Sequence, residues 1–377
     1  MRALLATRTL VGGRFAEGMA VLIERARIAA VVPRADVPTA ATRIDLDDAM
    51  LVPGFIDTQV NGGGDALFND DPSVETIRRI GAAHARFGTT GFLPTLISDD
   101  LDVIREGLAA VDAAIEAGVP GVLGIHVEGP FINVARKGIH AAEKIRAIDA
   151  DDVAVLTSLR HGRTLVTLAP ETVGFDLIRR LAAGGVVVSA GHTAGTYAEI
   201  AAAAAAGVTG VTHLFNAMSQ LGNREPGAVG AALAIPDLWC ALIVDGLHVS
   251  PVTLKLALKC KPLHRFLLVS DAMPTTGGAA TSFTLNGRVI RAAGGQLVDE
   301  GGTLAGADLD MLAAVVNAQR LLDVSPEAAL AMASANPADF LAMGDQVGRI
   351  APGRRASLLA ISGDWTIRRR WIDGVEG

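Results

Sequence analysis

The sequence predicts an α/β fold, a TIM-type (β/α)8 barrel joined to a second, small β-sandwich-like domain built from both chain ends. Three observations carry this prediction. Eight short apolar runs recur between residues 55 and 270, and alanine-rich stretches of helical periodicity lie between most of them. Residues 1–50 and 345–377 instead carry short runs broken by turn residues, with too little apolar strand at either end to close a core alone. Of the 377 residues, 50% are apolar and 19% charged, enough for a large core and too little charge for a disordered chain.

In chain order, 20–23 and 28–32 are the first strand candidates, with Gly12, Gly13 and Pro33 as breaks. The barrel is expected over 51–344, with strands at 55–60, 91–95, 122–127, 165–168, 186–190, 208–212, 240–244 and 265–270. Between the first two, 73–87 places Val74, Ile77, Ile80 and Phe87 at helical spacing. After the eighth strand, 282–298 reads as a polar hairpin-like excursion, followed by helices at 308–322 and 326–335. Strand patterning returns at 357–361 and 365–372, so both ends are expected to pair into one split domain.

The formal charge of −7 argues against nucleic acid or an anionic membrane as a partner. Cys240 and Cys260 supply neither a disulfide framework nor a thiolate metal cage. The N-terminal apolar residues are interrupted by charge, and no apolar stretch reaches the roughly 18–20 residues of a membrane span. A cytoplasmic protein is expected.

In such a barrel the active-site face lies at the C-terminal ends of the strands. Polar residues gather there: His126 and Glu128 on strand three, His192 on five, His213 and Asn216 on six, Asp245 and His248 on seven, Asp271 on eight. Two imidazoles and a carboxylate, His192, His213 and Glu128, suit Zn²⁺ or Fe²⁺ with positions left for water. A metal lowers the pKa of its water and polarises a carbonyl; Asp271 is placed to accept the water's proton. The glycine-containing segment 216–230 with Arg224 has donors for a phosphate, and Lys137 to His140 form a candidate lid or carbonyl-polarising element. His84 reads as a semi-buried helix residue, His161 and His264 as loop residues of the opposite face, and His126 as support for Glu128. There is no phosphate-loop, dinucleotide or nucleophile-elbow motif.

With these residues in place, the chain resembles the N-acetylglucosamine-6-phosphate deacetylases of the amidohydrolase superfamily. The matching motifs run in order: Pro53-Gly-Phe-Ile-Asp57, Gln59-Val-Asn61-Gly-Gly-Gly64, His126-Val-Glu-Gly-Pro-Phe131, Lys137-Gly-Ile-His140 and Gly191-His-Thr193. Then come Thr212-His-Leu-Phe-Asn-Ala-Met218, Arg224-Glu-Pro-Gly227, Asp245-Gly-Leu-His248, Ser270-Asp-Ala272 and Leu304-Ala-Gly306. The resemblance implies a hydrolase releasing acetate from N-acetylglucosamine 6-phosphate, for amino-sugar catabolism or cell-wall recycling. It implies Glu128, His192 and His213 as ligands of one divalent metal, zinc first, with Fe, Co or Mn as alternatives. Asp271 becomes general base and then acid, and His140 polarises the carbonyl. Ile139, His140, Asn216, Ala217, Arg224, His248, Leu304, Ala305 and Gly306 bind the substrate, with Arg224 shared across a homodimer.

Many amidohydrolases carry a His-x-His pair at the end of strand one, which gives a second metal. Here those positions are Gln59 and Asn61, neutral amides and poor ligands, so a single metal per subunit is expected. The alternatives are the galactosamine epimer as substrate, and a metal-free, non-catalytic protein of the same fold.

Overall fold

A computed structural model describes residues 1–377. At its centre is a parallel sheet of eight strands: β1 (Phe55–Val60), β2 (Thr89–Ile97), β3 (Gly124–Glu128), β4 (Arg163–Leu168), β5 (Val187–Ala190), β6 (Val208–Val211), β7 (Trp239–Leu242) and β8 (Phe266–Leu268). Each pairs with the next in chain order, as right-handed βα units require. Register is set strand by strand; β3 lies against β4 with Gly124 opposite Arg163 and Glu128 opposite Thr167. The strands are buried on both faces, which is why they read as nearly unbroken apolar runs.

The seam between β1 and β8 closes differently. Val60 bridges Ala272, and the Asn61 and Gly62 N–H groups donate to the Ala272 carbonyl at 2.9 and 3.0 Å. Below that bridge the Asp57 carboxylate accepts the Ser270 N–H at 3.2 Å and the Ser270 hydroxyl at 2.5 Å. Strand eight is therefore shorter than the expected 265–270: Ser270 turns its donors toward a side chain instead of a ladder.

Helices cover the outside because their caps and apolar stripes agree. Val74–Ala85 starts at Ser73, whose hydroxyl accepts the Thr76 N–H, and buries Ile77, Ile80 and Ala83. Tyr197–Ala206 opens with a reciprocal cap between Thr196 and Glu199 and stops at Gly207. The helix expected from 308 begins at Met311, since Asp310 serves as its cap and accepts the Ala313 N–H. A further helix not expected from the sequence, Ala335–Phe340, follows.

Both chain ends meet in two sheets. Leu358–Ile361 pairs antiparallel with Met50–Pro53 inside a six-stranded sheet, and Arg2–Leu5 lies between Met19–Glu24 and Thr42–Asp45 in a four-stranded one. Leu4, Val21, Ile23, Leu51, Leu358 and Trp371 form the apolar layer the two sheets share. The 282–298 excursion is an antiparallel sheet that Leu304–Ala307 completes, and it carries Leu285 over the mouth of the barrel.

Candidate active site

Four strands of the barrel deliver the candidate residues to one mouth. Glu128 ends β3, His192 follows β5, His213 follows β6 and Asp271 follows β8. Glu128 Oε1 lies 3.1 Å from His192 Nε2 and 3.0 Å from His213 Nε2, and the two nitrogens are 3.1 Å apart. All three side chains are buried. His192, His213 and Asp271 each adopt positive φ, of 48°, 30° and 52°. Such backbone is costly for side-chain-bearing residues and is held only where the surroundings enforce it.

Hydrogen bonds fix what the imidazoles offer. His192 Nδ1 lies 2.8 Å from the Arg136 carbonyl, an acceptor, so this nitrogen bears the proton and Nε2 carries a lone pair. That lone pair faces a carboxylate oxygen and a second imidazole nitrogen, an arrangement that a metal cation, or a proton on His213, relieves. The donor set thus fits a divalent metal, with a carbonyl behind a ligating histidine as such sites commonly have. Burial would raise the Glu128 pKa, but protonated imidazole at His192 and His213 overcomes it and holds the carboxyl well below its usual range. For His213 burial pulls down while the Glu128 carboxylate pulls harder, and the net shift is upward.

His140 also reaches the cluster: Glu128, His140 and His192 each offer one ligand atom within 4.8 Å of the others. Its tautomer sets it apart. The Ser98 N–H donates to His140 Nδ1 at 3.2 Å, with the Ser98 hydroxyl 2.7 Å from the same nitrogen. A backbone N–H cannot accept, so the neutral ring carries its proton on Nε2 and presents a donor. Burial, and then the neighbouring His192, push its pKa down to about 3, which keeps it neutral. His140 is suited to donate to a carbonyl oxygen, whereas His192 and His213 are suited to bind a cation.

The strand-one amides are turned toward two carboxylates. Gln59 Nε2 donates to Glu128 Oε1 and Oε2 at 3.1 and 3.2 Å and to Asp271 Oδ1 at 3.1 Å, and Asn61 Nδ2 donates to the same Oδ1 at 2.8 Å. Burial, followed by the Glu128 charge, pushes the Asp271 pKa up to about 6.

Glu128, His140, His192, His213 and Asp271 line a cavity of about 440 Å³ together with Asn61, Ile139, Asn216, Ala217, His248, Leu304 and Gly306. His248 is oriented by Asp245, whose Oδ2 lies 2.6 Å from Nδ1. Gly306, at φ 64°, passes so close to Asp271 that a Cβ there would lie 2.8 Å from the Asp271 carbonyl oxygen. Two expected residues do not reach the cavity of their own chain. Ala305 is wholly buried in the apolar cluster with Met273 and Leu285, because alternation along its strand turns it inward. Arg224 stands exposed on the turn before the Gly227–Ala234 helix.

Residues 50–375 match the amidohydrolase family. The chain belongs to the amidohydrolase family. It is 42% identical over 330 residues to the N-acetylgalactosamine-6-phosphate deacetylase of Shewanella sp. (strain ANA-3), spanning 87% of this chain and 83% of that protein. With the N-acetylglucosamine-6-phosphate deacetylase of Vibrio furnissii the identity is 34% over 375 residues, 98% of this chain and 93% of the other. The crystal structure of N-acetylglucosamine-6-phosphate deacetylase from Pasteurella multocida superposes with a TM-score of 0.96 at 32% identity, covering 100% of this chain and 99% of that one.

The other histidines of this amidohydrolase take supporting places. His84 is fully buried, more so than its helix pattern implied, with Nε2 2.9 Å from the Gly62 carbonyl. His126 lies inside the barrel beneath Glu128, with Nε2 2.8 Å from the Thr167 hydroxyl and a pKa lowered by burial to about 4. His161 meets Glu116, and His264 lies in the turn before β8. Sequence reasoning passed over Ser98, which orients His140, Asp57, which holds Ser270, and Glu171, which ties the loops around His192. Only Asp57 had a signal, its place in the Pro53–Asp57 motif; the partners of Ser98 and Glu171 are distant in sequence.

Proposed function

We propose that this amidohydrolase hydrolyses the acetamide of N-acetylglucosamine 6-phosphate to glucosamine 6-phosphate and acetate. The observation that carries the reading is one cavity in which Glu128, His192 and His213 converge beside a neutral imidazole N–H and a carboxylate of raised pKa. A divalent cation held by Glu128, His192 and His213 would polarise the acetamide carbonyl and make water more acidic. Zinc is the metal proposed, one ion per chain, because Gln59 and Asn61 are spent on Glu128 and Asp271.

The chain's own residues supply the proton movements. His140 Nε2–H donates to the carbonyl oxygen as negative charge grows on it. Asp271 takes a proton from water as the water oxygen bonds the carbonyl carbon, and gives it to the sugar nitrogen as the C–N bond breaks. A pKa near 6 suits both halves, since the carboxylate is ionised at neutral pH yet basic enough to hold a proton briefly. Asn216, Ala217, His248, Ile139, Leu304 and Gly306 line the space for the sugar phosphate. Arg224, free of its own cavity, reaches the phosphate of the neighbouring subunit in a homodimer. The two unpaired cysteines, Cys240 buried and Cys260 exposed, support a reducing, cytoplasmic setting. No helix is long and apolar enough to cross a membrane.

A second reading, N-acetylgalactosamine 6-phosphate, is favoured by the 42% identity to a deacetylase of that epimer. Acetate release is the test, measured with zinc-loaded protein on both phosphorylated epimers and on unphosphorylated N-acetylglucosamine. Faster turnover of the glucosamine epimer supports the proposal, and a preference for the galactosamine epimer replaces it with the second reading. Equal turnover without phosphate would remove His248 and Arg224 from substrate binding. No acetate from any substrate would leave the non-catalytic alternative.

A further inference from the structure

His192 stands in a backbone conformation that its own side chain disfavours, so something must hold it there. Its immediate holders are two groups of the loop after β3: the Asn133 N–H donates to the His192 carbonyl at 2.9 Å, and the Arg136 carbonyl accepts from Nδ1 at 2.8 Å. That loop is ordered in turn by the Asn133 side chain, whose Oδ1 accepts the Ala135 N–H at 2.9 Å.

One carboxylate anchors this arrangement from outside the cavity. Glu171, in the Ala-Pro-Glu segment after β4, accepts the Asn133 Nδ2–H at 3.0 Å on Oε1 and the Ala194 N–H at 2.7 Å on the same oxygen. Its Oε2 accepts the Thr193 hydroxyl at 2.5 Å. Loops from three neighbouring strands thus converge on one side chain, which grips both residues following His192 and the residue that bonds its carbonyl. Glu171 is absent from the cavity lining and has no contact with substrate space.

We infer that Glu171 is a positioning residue that sets the backbone and the tautomer of His192 for metal binding. The inference rests on the metal reading given above. Removing the carboxylate frees Asn133 and Thr193 together, so the Arg136 carbonyl no longer stays behind Nδ1, and the ring loses the bond that keeps its Nε2 lone pair aimed at Glu128. The expected effect falls on metal affinity first and on turnover of the metal-saturated enzyme second.

The experiment compares wild type, Glu171→Ala, Glu171→Gln and His192→Ala in zinc affinity by chelator competition. The ¹⁵N shifts of the His192 ring in metal-free protein give a readout independent of the metal. Glu171→Ala should bind zinc about 10–100-fold more weakly, the range typical for groups behind a metal ligand, and should lose the single Nδ1–H tautomer. Glu171→Gln keeps an oxygen for Ala194 and Asn133 and an amide for the Thr193 oxygen, and should restore affinity to within about threefold. If Glu171→Ala does not fold, Thr193→Val removes one of the three donors and should still weaken zinc severalfold. Wild-type zinc affinity and an unchanged ring tautomer in Glu171→Ala, or in Thr193→Val where that variant must stand in, would overturn the inference alone. A wild type that binds no zinc, or a His192→Ala variant that binds as tightly as wild type, would overturn the metal reading and this inference with it.

Discussion

Asn61 donates from its side-chain amide to Asp271 Oδ1 at 2.8 Å, across the seam where the first and last barrel strands meet. Gln59 donates to the same oxygen, so the two amides hold one oxygen of Asp271 while the other has no donor from the protein. In a two-metal relative, histidines at these positions would bind a cation. Here they hold the carboxylate of the proposed base, and that is the structural reason for proposing one metal.

Asp271→Asn should lose turnover by about 10²–10⁴-fold, the span of general acid–base catalysis, with zinc content unchanged. Metal analysis beside the acetate assay checks both halves. Activity near wild type would remove Asp271 from the chemistry.

The pH dependence follows from the same group. In the proposed reaction Asp271 must be ionised to accept a proton, and its pKa is pushed up to about 6 by burial and then by the Glu128 charge. Activity should therefore hold above that pH and fall as pH drops through it, with bound cation drawing the limb lower. Asn61→Leu removes a donor that favours the ionised form, so its acid limb should lie at higher pH than wild type. A pH profile of kcat/KM in both proteins decides this; coincident limbs would count against the bond.

His140→Ala should lower kcat by about 10²–10³-fold, as loss of one donor to a developing oxyanion does, and keep its zinc. The measurement is metal content after dialysis. Zinc lost in step with activity would place His140 among the ligands, against the tautomer that Ser98 imposes.

A chelator should abolish activity, and one equivalent of zinc per chain should restore it. Bound metal should also raise the melting temperature, since a ligand at about one hundred times its Kd adds about 2.7 kcal/mol to stability. His213→Ala should lose both effects. Two tightly bound ions per chain, found by titration, would contradict the role given to Gln59 and Asn61.

Away from the site, Lys261 buries its ammonium against the carbonyls of Ala232, Ile235 and Leu238 at 2.6, 2.9 and 2.6 Å. Lys261→Ala leaves those acceptors unpaired at the end of the Gly227–Ala234 helix and should cost roughly 3 kcal/mol. Denaturant unfolding measures it. The folded fraction should keep its specific activity, because this lysine lies outside the cavity.

Much of this was legible in the chain because a barrel has a simple grammar. Apolar runs buried on both faces mark the strands, and a polar residue just past such a run stands at the mouth. Glu128, His192, His213 and Asp271 were therefore readable as one group before any distance was known. Boundaries were less readable where a side chain replaces a backbone partner, as at Ser270 and Asp310. The Leu304-Ala-Gly306 motif marks Ala305 as a binding candidate but carries no sign that alternation along the strand turns its side chain into the apolar cluster.

The sequence by itself determined the strand order, the residues at the strand ends and the presence of amides where histidines would bring a second metal. These depend on local pattern and on connections that run to the next strand. Only the tertiary structure decided protonation and division of labour: that His192 offers a lone pair while His140 offers a proton, and that Glu171 and Asp57 hold groups remote in the chain. A tautomer is set by whichever acceptor or donor lies behind the ring, and those partners, Arg136 and Ser98, come from loops 56 and 42 positions away. Spacing along one chain carries no record of such contacts, because folding alone brings them within hydrogen-bond range.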